Sequence, residues 1–172
     1  MQMSGSQTGT SERLAKRIAK TAGQRGFAAT VQDLSTYPTE RLRTEQDLLL
    51  ITSTYGDGEP PDNAKAFWNF ISGPSAPALP QARYSVCALG DSNYPRFCAF
   101  GCSVDEQLAK LGARQISPRA ECDVDYEASF TTWLGAALDA LAGSRSSLTV
   151  IEPAAASPPS PGKPPAPSRS RR

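Results

Sequence analysis

A doubly wound α/β sheet is the fold this sequence predicts, and three observations predict it. Compact apolar runs at 47–52 and 84–89 are bounded by turn chemistry, as strands buried on both faces of a parallel sheet require. Segments with helical apolar spacing alternate with these runs. The least regular loops directly follow strands, which places them together at the carboxyl edge, where such sheets bind ligands.

The elements follow in order. Leu14, Ile18 and Ala22, flanked by Ala15 and Ala19, recur at helical spacing from Ser11 to about Gln24, with Arg13, Lys16, Arg17 and Lys20 on the complementary face. Gly26 ends that helix, and Ala28 to Leu34 reads as a short strand containing Val31. Asp47 to Thr52 is a central strand. After a Gly/Pro-rich loop, Asp62 to Ile71 is helical, with Ala66, Phe67 and Phe70 expected inward. Tyr84 to Leu89 is a second buried strand, followed by the loop Gly90 to Phe97. A helix from about Ala99 to Leu111 turns Val104, Leu108 and Leu111 inward. Ala113 to Ile116 is a last strand. Glu127 to Leu141 is a last amphipathic helix, carrying Phe130, Trp133, Leu134, Ala137 and Leu141.

One folded domain is expected over residues 1–142, because 172 residues suffice for one real core and not comfortably for two. Residues 143–172 read as a disordered Pro/Ala/Ser-rich linker. Seven of the 15 prolines lie between Pro153 and Pro167, with no aromatic residue among them. The net charge of +1 divides into +4 on this tail and −3 on the body. The body offers no clustered basic face, so no nucleic-acid partner is expected. No apolar run approaches the roughly 20 residues of a membrane span, and no basic-then-apolar leader is visible. The expectation is a cytoplasmic protein without a membrane partner.

The chain has no histidine, which removes the commonest general base and with it Ser-His-Asp and Cys-His arrangements. Cys87, Cys98, Cys102 and Cys122 form no C-x-x-C pair, so no metal site is expected and the thiols read as free and mostly buried. No catalytic residue is assigned, and any chemistry must be carried by a cofactor.

Three loops could hold one. Ser4-Gly5-Ser6-Gln7-Thr8-Gly9-Thr10-Ser11 concentrates hydroxyls and backbone N–H groups at a helix amino terminus, which suits a phosphate monoester. It contains neither Gly-Lys-Ser/Thr nor G-x-G-x-x-G, so it is not a nucleotide P-loop or a dinucleotide fingerprint. Read alone, it serves equally as a polar helix cap. The second loop runs from Thr52 through Ser53, Thr54, Tyr55 and Gly56 to Asn63. An aromatic residue followed by glycine at a strand end can stack on a planar ring while the backbone approaches its edge. A plain Gly/Pro surface loop has the same composition. The third, Leu89-Gly90-Asp91-Ser92-Asn93-Tyr94-Pro95-Arg96-Phe97-Cys98, again offers glycine, turn-forming polar residues and aromatics.

In order and spacing, the three loops resemble the FMN domain of diflavin reductases, a flavodoxin-like module. The matching stretches are Ser-Gln-Thr-Gly-Thr, Ser-Thr-Tyr-Gly-Asp-Gly-Glu-Pro-Pro-Asp-Asn-Ala and Ala-Leu-Gly-Asp-Ser-Asn-Tyr-x-x-Phe-Cys. The Phe-Cys ending and Asp123-Val124-Asp125-Tyr126 are most similar to the NADPH sulfite reductase flavoprotein. The likeness spans about Ser4 to Leu141. It implies FMN as cofactor, with Ser6, Gln7, Thr8, Gly9 and Thr10 on its phosphate and Ser11 nearby. It implies Tyr55 and Tyr94 on the two faces of the flavin ring, Ser53, Thr54 and Gly56 in the second loop, and Leu89, Gly90, Asp91, Phe97 and Cys98 in the third. Asp123 would lie near the ring.

The function implied is electron transfer. Electrons would come from an FAD/NADPH reductase domain, in cis or in trans, and go to a haemoprotein such as the sulfite reductase beta component. A free-standing flavodoxin-type shuttle is the alternative, and a flavin-free interaction domain of the same fold is a third reading. No FAD or NADPH domain is expected within these residues, so the chain is not a complete enzyme alone. Acids at Asp57, Glu59, Asp62, Asp91, Glu121, Asp123, Asp125 and Glu127 would rim the site and steer a basic partner. The resemblance also calls for an apolar strand ahead of the phosphate loop, where only Met1-Gln2-Met3 stand. A five-stranded parallel sheet with helices on both faces and a truncated first strand is therefore expected.

Overall fold

The computed structural model describes residues 4–54, 58–142 and 148–152, with side chains from Gly9 onward. Its strands are β1 (Ala29–Asp33), β2 (Asp47–Ser53), β3 (Arg83–Leu89), β4 (Arg114–Gln115), β5 (Ala120–Cys122) and β6 (Leu148–Glu152). They form one parallel sheet in the order β1-β6-β2-β3-β4, with β5 also pairing β3. The helices are α1 (Ser4–Gln24), α2 (Lys65–Ser72), α3 (Ala99–Lys110) and α4 (Glu127–Leu141), with a 3-10 segment at Thr39–Thr44.

Every residue of β2 is buried, and alternation sends its side chains to opposite faces. Leu49 and Ile51 join Leu14, Ile18, Phe130, Trp133 and Leu138 beneath α1 and α4. Leu48 and Leu50 join Phe67, Ile71, Phe100, Val104 and Leu108 beneath α2 and α3. A helical layer thus covers each face, the condition a parallel sheet imposes. In α2, Phe67 is buried and Phe70 packs partly buried against the core as expected, Ile71 completes the buried stripe, and Ala66 is exposed. The expected last strand, 113–116, is β4, and a further short strand that the sequence reading did not expect follows it. Gln115 ends β4, and β5 begins at Ala120 after Pro118, which has no N–H for the ladder.

Two expectations about the chain's ends are corrected. Helix α1 begins at Ser4 and not at Ser11, so the hydroxyl-rich stretch is the helix's own first turns. Residues 148–152, expected within the disordered tail, form β6, buried throughout and paired on both sides in the middle of the sheet. Leu148 and Val150 enter the α1/α4 core and Ile151 the opposite one. Burying three apolar side chains at about 1.5–3 kcal/mol each offsets much of the ordering cost that the tail's average composition could not. The central position expected to hold a truncated strand is therefore filled from the carboxyl-terminal side. The rest of the proposed linker, at 143–147 and 153–172, lies outside the described residues.

Candidate functional site

Parallel strands bring the ends of β2 and β3 and the start of α3 to one edge, and the second and third loops leave from there. At the end of β2, Ser53 is fully buried and its Oγ has no hydrogen-bond partner. An orphaned buried hydroxyl costs about 1–3 kcal/mol, so its presence at a loop mouth calls for a ligand or water to satisfy it. The next residue, Thr54, accepts the Phe100 backbone N–H on its Oγ1 at 3.0 Å, tying the second loop to the first turn of α3. Tyr55, Gly56 and Asp57 lie outside the described residues.

The third loop is built around Gly90, buried at the end of β3, whose N–H donates to the Cys122 carbonyl at 2.9 Å. A Cβ on Gly90 would stand 3.0 Å from the Cys98 nitrogen, 3.1 Å from its Sγ and 3.2 Å from the Phe97 ring, so the loop closes over a residue without a side chain. Asp91 then organises a tight turn. Its Oδ1 accepts the Asn93 N–H at 2.9 Å and its carbonyl accepts the Tyr94 N–H at 3.0 Å. This turn leaves Tyr94 61% exposed at its tip, and Val124 across the edge is 64% exposed. These are the large hydrophobic side chains exposed among the described residues, and a free aromatic face at a loop tip is suited to stacking on a planar ring.

Asp123 faces this turn. Its Oδ1 accepts the Ser92 N–H at 3.0 Å and the Val124 N–H at 2.8 Å, and its Oδ2 takes the Ser92 hydroxyl. The Ser92 hydroxyl and the two backbone donors hold the carboxyl below its ordinary value, so Asp123 is a fixed negative charge at neutral pH. The sequence reading did not select Ser92. Its signal was the Asp-Ser-Asn run, a strong turn former whose middle residue can reach a neighbouring strand end.

Cys98 takes a left-handed conformation, φ 57°, as α3 begins. Its Sγ donates weakly to the Ala88 carbonyl at 3.4 Å, and burial first, then the neighbouring Glu121, pushes the thiol up to about 12. A thiol so protected is packing and not a nucleophile. All four cysteines are free, with Cys87, Cys98 and Cys122 buried. Leu89 is buried in the strand and Phe97 half-buried against Gly90.

In the first segment, Ser11 is fully buried, while Gly9 and Thr10 are half-buried on α1. The side chains of Ser6, Gln7 and Thr8 lie outside the described residues. In a helix that begins at Ser4, the free N–H groups and positive dipole end that attract a phosphate lie at residues 4–7, ahead of Thr8, Gly9 and Thr10. The expected acidic rim is partly neutralised. Glu127 pairs with Arg17 at 2.9 Å, Glu121 with Arg119 at 2.8 Å and Asp62 with Lys65 at 2.9 Å.

The sequence matches the family Flavodoxin over residues 3–133. This chain belongs to the flavodoxin family. FMN is the cofactor that membership brings, and the orphaned Ser53 hydroxyl, the exposed Tyr94 and the closed Gly90 turn fit a planar flavin at this edge. The chain is 43% identical over 153 residues to the "Sulfite reductase [NADPH] flavoprotein alpha-component" of Bacillus subtilis, covering 89% of this chain and 25% of that protein. It is 42% identical over 137 residues to the protein of the same name from Shewanella sp. strain MR-4, covering 80% and 23%. The chain thus spans about a quarter of the length of the curated relatives it matches. Among solved structures it resembles a Streptococcus pneumoniae flavodoxin (TM-score 0.69, 26% identity, 79% of this chain and 92% of that one). It also resembles a cysteine-to-serine mutant of flavodoxin from Pseudomonas aeruginosa (TM-score 0.67, 29% identity, 77% and 91%). The function of this flavodoxin domain is that of an FMN electron-transfer module. No helix among the described residues is long and apolar enough to cross a membrane.

Proposed function

We propose that this chain is the FMN-binding electron-transfer module of an NADPH-dependent diflavin reductase of the sulfite reductase type. It receives electrons from an FAD/NADPH domain, in cis or in trans, and delivers them to a haemoprotein partner. The observation that carries the reading is the convergence, at one sheet edge, of an orphaned buried Ser53 hydroxyl and an exposed Tyr94. The 43% identity to a sulfite reductase flavoprotein supports the assignment within the family.

FMN supplies transfer of one or two electrons, which no side chain here can perform. Ser6, Gln7, Thr8, Gly9 and Thr10 hold its phosphate at the amino end of α1, with Ser11 supporting the turn. Tyr55 and Tyr94 cover the ring faces. Ser53, Thr54, Gly56, Leu89, Gly90, Asp91, Phe97 and Cys98 shape the two loops around it. Asp123, held ionised by Ser92, disfavours negative charge building up on a bound flavin and so makes it a stronger donor. Glu59, Asp91 and Asp125, with Asp123, leave the rim negative enough to steer a partner with a basic face.

The test is titration of the flavin-free chain with FMN and FAD, followed by reduction with the FAD/NADPH portion of a sulfite reductase flavoprotein and NADPH. One-to-one FMN binding, weaker FAD binding and NADPH-dependent bleaching of the bound flavin are expected. Equal retention of FAD, or no reduction with that donor, refutes the assignment.

A further inference from the structure

Strand β6 sits between β1 and β2, in register from Ala29↔Leu148 to Asp33↔Glu152 on one side and from Asp47↔Leu148 to Leu50↔Ile151 on the other. The slot recognises it by more than apolar burial. The Thr149 hydroxyl donates to Glu45 Oε2 at 2.7 Å, and Glu45 Oε1 receives the Tyr37 hydroxyl at 3.0 Å and Arg41 at 3.2 Å. That buried carboxylate is therefore fully paired.

The carboxylate at the other end of the strand is not. Glu152 is 2% exposed and its Oε2 has no hydrogen-bond partner. The charged groups facing it are Asp33 from β1 and Glu12 and Lys16 from α1, and the Lys16 ammonium is already engaged by Glu12 at 2.7 Å. Residues 48–53 of β2 contribute no ionisable side chain. Among the described residues, an ionised Glu152 would meet two carboxylates and one ammonium that is already taken, with its Oε2 unpaired.

We propose that β6 is a proton-latched strand: it fills the slot between β1 and β2 while Glu152 carries its proton, and it leaves when Glu152 ionises, opening the centre of the sheet beside α1. Burial, followed by Asp33 and Glu12, raises this carboxyl from its ordinary 4.5 to about 8, against a smaller lowering by Lys16. The docked strand thus keeps a proton that the free strand gives up. Docking weakens about tenfold per pH unit between the two values, is independent of pH below the lower one and levels off above the upper one. The latch rests on the strand's own contacts and needs no bound flavin.

Amide exchange on the flavin-free full chain, from about pH 5 to about pH 9 and corrected for intrinsic rates, tests it. Protection at Val150 and Ile151 is expected to fall about tenfold per pH unit up to about pH 8 and then level off. Val86 and Cys87, in the interior of β3, should show no such slope, and Glu152→Gln should abolish it at Val150 and Ile151. The same slope in Glu152→Gln, or an equal slope at Val86 and Cys87, overturns the latch, the latter because it reports unfolding of the whole domain. Should Glu152→Gln not fold, the side-chain carboxyl of Glu152 is titrated by carbon NMR in the unchanged chain. A midpoint near 8 upholds the latch and one near 4.5 overturns it.

Discussion

Replacing Gly101 by alanine sets two opposing effects against each other at the helix that frames the site. Gly101 is buried in the first turn of α3 where the helix crosses β3. An added Cβ would overlap the Ala88 Cβ and lie 3.2 Å from the Ala88 Cα, inside the roughly 3.5–4.0 Å at which carbon atoms rest. Neither atom can swing aside, since both belong to the inner residue of a buried strand. Helix α3 must shift, and Phe100, Val104 and Leu108 must repack with it, at a cost of about 1–3 kcal/mol. Alanine's better helix propensity returns about 1 kcal/mol at most. Because the overlap falls on atoms that cannot move, the upper end of that cost applies, and a net loss of about 2 kcal/mol is expected, read as a lower urea midpoint at unchanged slope. Gly135 is the internal control. It stands in mid-α4 with nothing within 4 Å of its would-be Cβ, so Gly135→Ala meets no obstacle and should stabilise by about 0.5–1 kcal/mol. The shift of α3 also carries the Phe100 N–H away from Thr54, so Gly101→Ala should weaken FMN binding while Gly135→Ala leaves it alone. If Gly101→Ala is as stable as the parent, α3 does not press on β3 as described.

Other perturbations separate the site from its scaffold. Tyr94→Ala should lower FMN affinity by about 0.5–1.5 kcal/mol beyond lost area, with the urea midpoint of the flavin-free chain unchanged because the ring is exposed; unchanged affinity would make Tyr94 a turn residue only. Asp123 has a depressed value, so what it contributes to the 91–94 turn is present above its ordinary 3.8 and is lost as pH falls below that; Ser92 amide protection should fall with acid in the parent and stay flat in Asp123→Asn. Thr149→Val deletes a hydrogen bond to a buried carboxylate and should cost about 1.5–3 kcal/mol by denaturant titration, a loss Thr30→Val should not reproduce. Truncation after Glu152 should leave FMN affinity intact, whereas truncation after Ala142 removes β6 and should lower the urea midpoint while β2 and β3 stay paired.

The sequence was legible where burial is two-sided. Leu48 to Ile51 and Tyr84 to Leu89 are continuous apolar runs, and such runs leave few alternatives to a central parallel strand. It was illegible where a short signal lay inside a long contrary one. Leu148-Thr149-Val150-Ile151-Glu152 has three consecutive β-branched residues, a strand signature, yet five residues were averaged away by the prolines that follow. Ala120-Glu121-Cys122 carries no β-branched residue at all, and β3 imposes its pairing from outside. At the site, Gly90 and Tyr94 could be selected because glycine and aromatics stand out in a loop, and Asp123 only through the family resemblance. Glu45 and Glu152 could not, since an acid destined for the interior looks in sequence like any solvated one, and its partners Tyr37 and Thr149 are far off in the chain.

The same contrast explains how a strand from the carboxyl-terminal side can stand at the centre of a flavodoxin sheet. Helix α4 lies on the same face as α1, and β6 follows it into the sheet parallel to β5, which is the ordinary geometry of a strand–helix–strand crossover. The slot asks for a parallel segment with apolar side chains toward both cores and a hydroxyl toward Glu45. It does not ask where in the chain that segment comes from. What fixes the loops at the carboxyl edge is that β2 and β3 stay paired over seven residues, from Asp47↔Arg83 to Ser53↔Leu89. Chain order in this fold is therefore subordinate to pattern. A strand held by three apolar side chains, one charge-assisted hydrogen bond and one buried proton can complete the sheet and still respond to pH.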